Sequence, residues 1–212
     1  KFVASEIYSF FVSDDLVEEH IDLISHVFIE SNYMISDVLR FVFNTDFFKD
    51  AIFKKVKSPT EIVVGTAILS GRHHSPYEFG LTRLSDATRN MGQDLLNPPT
   101  VEGWHTGREW IDSSYLIERV NFSTKMITDI HAQGTELIIQ RISSKGSKIT
   151  ARELLDQCLY EMGSISLKPH SIDVLFEELD IPDLIHTESD QFSEIVSEML
   201  RLIVSSREYQ FA

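Results

Sequence analysis

The side chains that could do chemistry are few and scattered. His73 and His74 are adjacent and cannot share a helical face, and His20 and His26, six apart, fall on different faces. No His-Glu-x-x-His or Cys-x-x-Cys spacing occurs, so the sequence implies no metal site, and these histidines read as solvated or capping residues. The one cysteine, Cys158, sits among Leu154, Leu155 and Leu159. It reads as a small buried hydrophobe, since no local partner is present to activate a thiol. There is no Gly-x-Ser-x-Gly elbow, and no glycine-rich turn comes with the lysine and strand-to-helix context of a phosphate loop, so no cofactor is expected. His105 lies between Glu102 and Glu109 and could form an acid–base pair, although exposed loop residues without a catalytic role are the plainer account.

The richest stretch runs from Met91 to Phe122, with two prolines, three glycines and both tryptophans of the chain. From Gln93 to about Thr106 the connection is longer than most ordered loops. Leu95, Leu96, Val101 and Trp104 make it too apolar for a disordered segment. Asn97-Pro98-Pro99 fixes an extended run, Gly103 allows a tight turn that presents Trp104, and Thr106-Gly107-Arg108-Glu109 has capping-box spacing. Asp112 or Ser113 is placed to cap the next helix. The expectation is a compact Ω-like loop pinned by two indoles. On a functional reading Trp104, His105, Arg108 and Glu109 line a shallow site for a sugar, peptide or protein partner. On a structural reading the indoles plug a helical core, with Gln93, Pro98, Pro99, Gly103, Trp110, Arg119 and Asn121 supporting the loop and Arg119 and Asn121 bonding its carbonyls. The structural role is the stronger one for Trp110, Arg119 and Asn121; for Trp104 and His105 the two are balanced.

Met91-Gly92-Gln93, Pro98-Pro99-Thr100-Val101-Glu102-Gly103-Trp104, Trp110-Ile111 and Arg119-Val120-Asn121-Phe122 together resemble the C-terminal signature of the bacterial domain-of-unknown-function family numbered eighteen hundred. Val56-Lys57-Ser58-Pro59-Thr60-Glu61, the opening Ile7-Tyr8-Ser9-Phe10-Phe11-Val12 and the closing Ser205-Ser206-Arg207-Glu208-Tyr209-Gln210 extend the likeness over most of the chain. It departs at Thr100, where Asn is usual, and at His105-Thr106, where Pro-Gly is common. The resemblance implies a fragment of a larger bacterial protein lacking the family's N-terminal half, and export in many relatives.

The elements that must position this loop read as amphipathic helices. Ser58-Pro59-Thr60-Glu61 is the best helix start, and Asp15 to Glu18 and Thr150 to Glu153 have the same capping-box form. Ser36 is placed to cap the helix through Val38 and Val42. The crowded phenylalanines near Phe43, Phe47, Phe48 and Phe53 read as core. A helix is expected from about Phe79 to Met91, another from Ser114 to about His131 with a break at Gly134, and the cleanest over Asp190 to Ser205. No stretch alternates at period two for long. The fold class is therefore all-α, an irregular multi-helix bundle carrying a long ordered loop. Its expected domains are 1–142 with that loop and 149–212 as acidic C-terminal helices on the same core, joined by a Ser/Gly/Lys-rich linker at 143–148.

Net charge is −14, which excludes nucleic acid as a partner. From residue 151 onward 13 Asp and Glu face 4 Lys and Arg, read as solvated acidic helix faces. No apolar run nears the roughly 20 residues that span a bilayer. Function therefore stays between two classes: a non-catalytic helical scaffold or binding module, or part of a hydrolase-like enzyme with further catalytic residues in an N-terminal half. The partner, a protein, peptide or glycan, and the oligomeric state are not legible.

Overall fold

The structure, a computed structural model, describes residues 1–72 and 82–212. Contacts divide the chain into two units, each with its own core: one of residues 1–57, 106–109 and 211–212, the other of 58–105 and 110–210. The fold is mostly α, and among the described residues the one sheet has two three-residue strands.

In the first unit α1 (Phe2–Phe11), α2 (Glu18–Glu30), α3 (Ile35–Asn44) and the single turn α4 (Asp46–Lys49) follow one another, with α2 packed on both α1 and α3. Ala4, Ile7, Ile21, Ile24, Val38 and Val42 recur at spacings of three and four and form its core. The phenylalanines expected there do something else. Phe47 and Phe48 only flank the core, while Phe10, Phe11 and Phe43 stay exposed in a chain of edge-on rings that ends at Phe48. The capping box at Asp15 does not form: α2 starts at Glu18 after an extended Val17, and the Asp15 carboxylate lies 3.2 Å from Arg108. Nor does Ser36 cap α3, which follows Met34. Asp14 is the organiser instead. Its carboxylate accepts the Val56 amide at 2.8 Å, Lys55 is its ion-pair partner, and Gly107 packs directly on its side chain.

The second unit holds α5 (Pro59–Leu69), α6 (Arg83–Asn90), α7 (Ser113–Ile127), α8 (Gln133–Ser143), β1 (Lys148–Thr150), α9 (Ala151–Glu161), α10 (Pro169–Glu178), β2 (Leu184–His186) and α11 (Phe192–Ser205). The Ser58 and Thr150 capping boxes form as their spacing implies. The helix expected from Phe79 runs over Arg83–Asn90; Phe79 itself and His73-His74 lie outside the described residues. β1 and β2 pair antiparallel with buried Ile149 opposite buried Ile185, a strand pair too short to leave a period in the sequence. The segment read as a linker, 143–148, is a short connection inside this unit, and Ile142 and Ile149 on either side share one core.

α7 is central, packed against α5, α6 and α11. It ends at Ile127, and Gly134 does not break the next helix but lies in its first turn. There α8 meets the end of α5 backbone to backbone: the Gly134 amide donates to the Ser70 carbonyl at 3.0 Å, and a Cβ on Gly134 would sit 2.1 Å from the Leu69 carbonyl oxygen. The turn Glu208–Gln210 locks the same layer. Tyr209 Oη meets Thr66 Oγ1 at 2.8 Å, Glu208 Oε1 accepts from the Lys168 amide and Ser171 hydroxyl at the start of α10, and Gln210 Oε1 accepts from Arg119 Nε at 2.9 Å. Arg119 is fully buried, and burial pulls its pKa down to about 10 against the opposing field of Glu61.

Candidate functional site

The loop after α6 is built on polar brackets rather than on an apolar plug. α6 closes with Gly92 at a φ of 95°, its amide donating to the Arg89 carbonyl, and the absence of a side chain lets the Tyr115 ring come within about 3 Å of where a Cβ would stand. Gln93 then turns back: its Oε1 accepts from the Thr60 amide at 2.9 Å and from the Thr60 hydroxyl at 2.7 Å, satisfying a free amide in the first turn of α5.

Asp94 is the hub of the next bracket. Its carboxylate accepts from Asn97 Nδ2 at 3.0 Å and from Arg89 Nε at 2.9 Å, and these two contacts, Asn97 first, hold its pKa below the ordinary carboxylate range. Its carbonyl accepts both the Asn97 amide and the Trp104 indole Nε1, the latter at 2.9 Å. Asp94 to Asn97 is thus a β-turn whose third residue, Leu96, has a φ of 65°, where glycine or asparagine is the ordinary occupant. A second turn closes from the Gly103 amide to the Thr100 carbonyl, with Gly103 at a φ of 108°.

What the brackets present is apolar. Leu96 is 97% exposed and Val101 wholly so, Leu95 is also exposed, and Pro98 and Pro99 lie in solvent between them. The expectation that Leu95, Leu96 and Val101 must be buried is overturned, because local hydrogen bonds supply the order that burial was expected to supply. Trp104 is half-buried over Asp94. Trp110 is 8% exposed, and its Nε1 has no hydrogen-bond partner among the described residues.

The four residues put forward as a binding set divide between the two units. Trp104 and the exposed His105 belong to the second, Arg108 and the exposed Glu109 to the first, where Arg108 makes its surface ion pair with Asp15. Of the supporting set, Gln93 accepts from Thr60, Gly103 takes the positive φ of its turn, and Trp110 is buried. Arg119 donates to Gln210 of the final turn, and Asn121 is exposed on α7. Asp94 is the loop residue that sequence reasoning passes over, and Asn97, read only as the start of an extended run, closes its turn.

This loop, the α5 start it caps and the buried Arg119 fall within the segments that carried the family likeness, and a family model described as "Protein of unknown function (DUF1800)" matches residues 1–211. The chain belongs to that family. No curated protein and no solved structure matches it. Among the described residues of this DUF1800 chain no cluster of His, Cys, Asp and Glu could hold a metal ion, and no helix among them is long and apolar enough to cross a membrane.

Proposed function

We propose that the chain is a non-catalytic helical binding module that engages a protein partner through the loop at 94–104. One observation carries this reading: Leu96 and Val101 stand almost wholly in water on a loop held rigid by Asp94, Arg89, Asn97 and Trp104. A leucine with a positive φ is disfavoured by about 1 kcal/mol, and no burial offsets that here. The fold gains nothing from leucine at that place, whereas a partner with an apolar pocket would. Rigidity favours the same use, since a loop already ordered loses little entropy on binding. That the module is a scaffold within a larger bacterial protein is supported by the family resemblance.

Site-specific photocrosslinking tests the reading. A benzoylphenylalanine at position 96, introduced in the producing cells, should give a discrete adduct that Val101→Asp abolishes. The same probe at Val174, an exposed apolar position on α10, should not give that adduct. Identical adduct patterns at 96 and 174 would refute the reading.

A further inference from the structure

In the second unit, the chain after α9 doubles back along that helix. Gly163 and Ser164 both have positive φ, 96° and 58°, and reverse the direction of the chain so that the Ile165 amide reaches the Leu159 carbonyl at 3.3 Å. The returning segment alternates: Ile165 and Leu167 are buried, and Ser164 and Ser166 are exposed. Between it and α9 lies an open groove of about 380 Å³ with Leu159 and Ile172 among its lining.

The α9 wall of this groove is a row. Arg152, Asp156 and Tyr160 stand four residues apart, one above the other on a single helix face, all exposed, with Arg152 Nε 3.6 Å from Asp156 Oδ1. The Lys145 ammonium lies 5.7 Å from the centroid of the Tyr160 ring and is itself bonded to Gln157. An exposed aromatic ring, a guanidinium beside a carboxylate and two serine hydroxyls thus line a shallow groove with aliphatic patches.

We propose that this groove binds a neutral oligosaccharide. A pyranose has one face of C–H groups, which packs on an aromatic ring, and a rim of hydroxyls that both donate and accept. Asp156 accepts from such hydroxyls, Arg152 donates to them, and the serine hydroxyls do either. A peptide is a poorer match, because among the described residues of the groove no strand edge offers it a backbone ladder. A polyanionic sugar is excluded by charge: residues 151–212 carry 13 Asp and Glu against 4 Lys and Arg. The site is separate from the loop at 94–104 and does not rest on the role proposed for it.

The test is a titration of the ¹⁵N-labelled chain with cellotetraose and with chitotetraose. The expected result is saturable shifts at residues 152–172 for at least one of them, with Tyr160→Ala weakening the affinity by about tenfold or more. Asp156→Asn should weaken it as well, and both variants should keep the parent's unfolding temperature because both side chains are exposed. The double variant Leu96→Asp, Val101→Asp should bind the sugar like the parent. Absence of shifts with either sugar at millimolar concentration, shifts unchanged by Tyr160→Ala, or loss of binding in the loop variant would each overturn the proposal.

Discussion

Replacing Gly134 by alanine sets two effects of known sign against each other. In a free helix the change adds about 1 kcal/mol of stability. In this chain the new Cβ would stand 2.1 Å from the Leu69 carbonyl oxygen, 2.5 Å from the Ser70 carbonyl carbon and 2.6 Å from the Gly71 amide nitrogen. All three are backbone atoms, so no side-chain rotation relieves the clash. α5 and α8 must separate, which strains the packing by about 1–3 kcal/mol and sacrifices the Gly134–Ser70 hydrogen bond, worth about 1 kcal/mol. The net is a loss of about 1–3 kcal/mol, a fall in Tm of about 3–10 °C for a unit of this size. Gly65 is the control. It lies exposed in the middle of α5, with nothing within 4 Å of the place a Cβ would take, so Gly65→Ala should raise Tm by about 1–3 °C. Calorimetry on the two variants decides the matter. If Gly134→Ala melts at or above the parent, the backbone contact between α5 and α8 is wrong.

Acrylamide quenching should separate the two indoles: Trp104→Phe should leave a blue-shifted emission from buried Trp110 that is quenched much less than the parent's. Burial acts to raise the pKa of Glu208, but the Ser171 hydroxyl and the Lys168 amide outweigh it, so its folded value lies below its unfolded one. Its stabilising contribution is therefore present above the unfolded value, about pH 4.3, and is lost as pH falls through the folded one. Urea unfolding between pH 6 and 3 should show a shallower loss of stability in Glu208→Gln than in the parent. Cys158 is buried and its thiol pKa is pushed up by desolvation, so a disulfide reagent should label it only at the rate of unfolding, and prompt labelling of the native chain would contradict its placement.

Helix starts are legible where the cap is written in side chains, as at Ser58 and Thr150, because those hydrogen bonds are local. The same pattern misleads at Asp15, where Val17 is extended and α2 starts only at Glu18, a backbone path that cap spacing does not register. Gly134 looks like a break because a glycine's helical cost is visible in sequence and its backbone contact with α5 is not. The loop shows both sides. Its glycine chemistry points to order, correctly for the turn that Gly103 closes on Thr100, while the turn at Asp94 goes unread. Hydrophobicity then suggests burial for Leu96 and Val101, which the structure denies because polar contacts already hold the loop. The groove along α9 is open to the same reasoning: Arg152, Asp156 and Tyr160 form a visible row at four-residue spacing, and only the reversal at Gly163-Ser164, set by two backbone angles, supplies the opposite wall.

The tie between Thr66 and Tyr209 spans 143 residues, and that between Arg119 and Gln210 spans 91. At roughly 5–20 residues per second of synthesis, α5 emerges about 7–30 s before the tyrosine that covers it. For about the last 5–18 s of it, a guanidinium destined for the interior waits beside uncovered aliphatic side chains. The nascent chain thus carries a half-built layer until Glu208–Gln210 is made, which makes it a natural client for holdase chaperones and that turn a checkpoint on maturation.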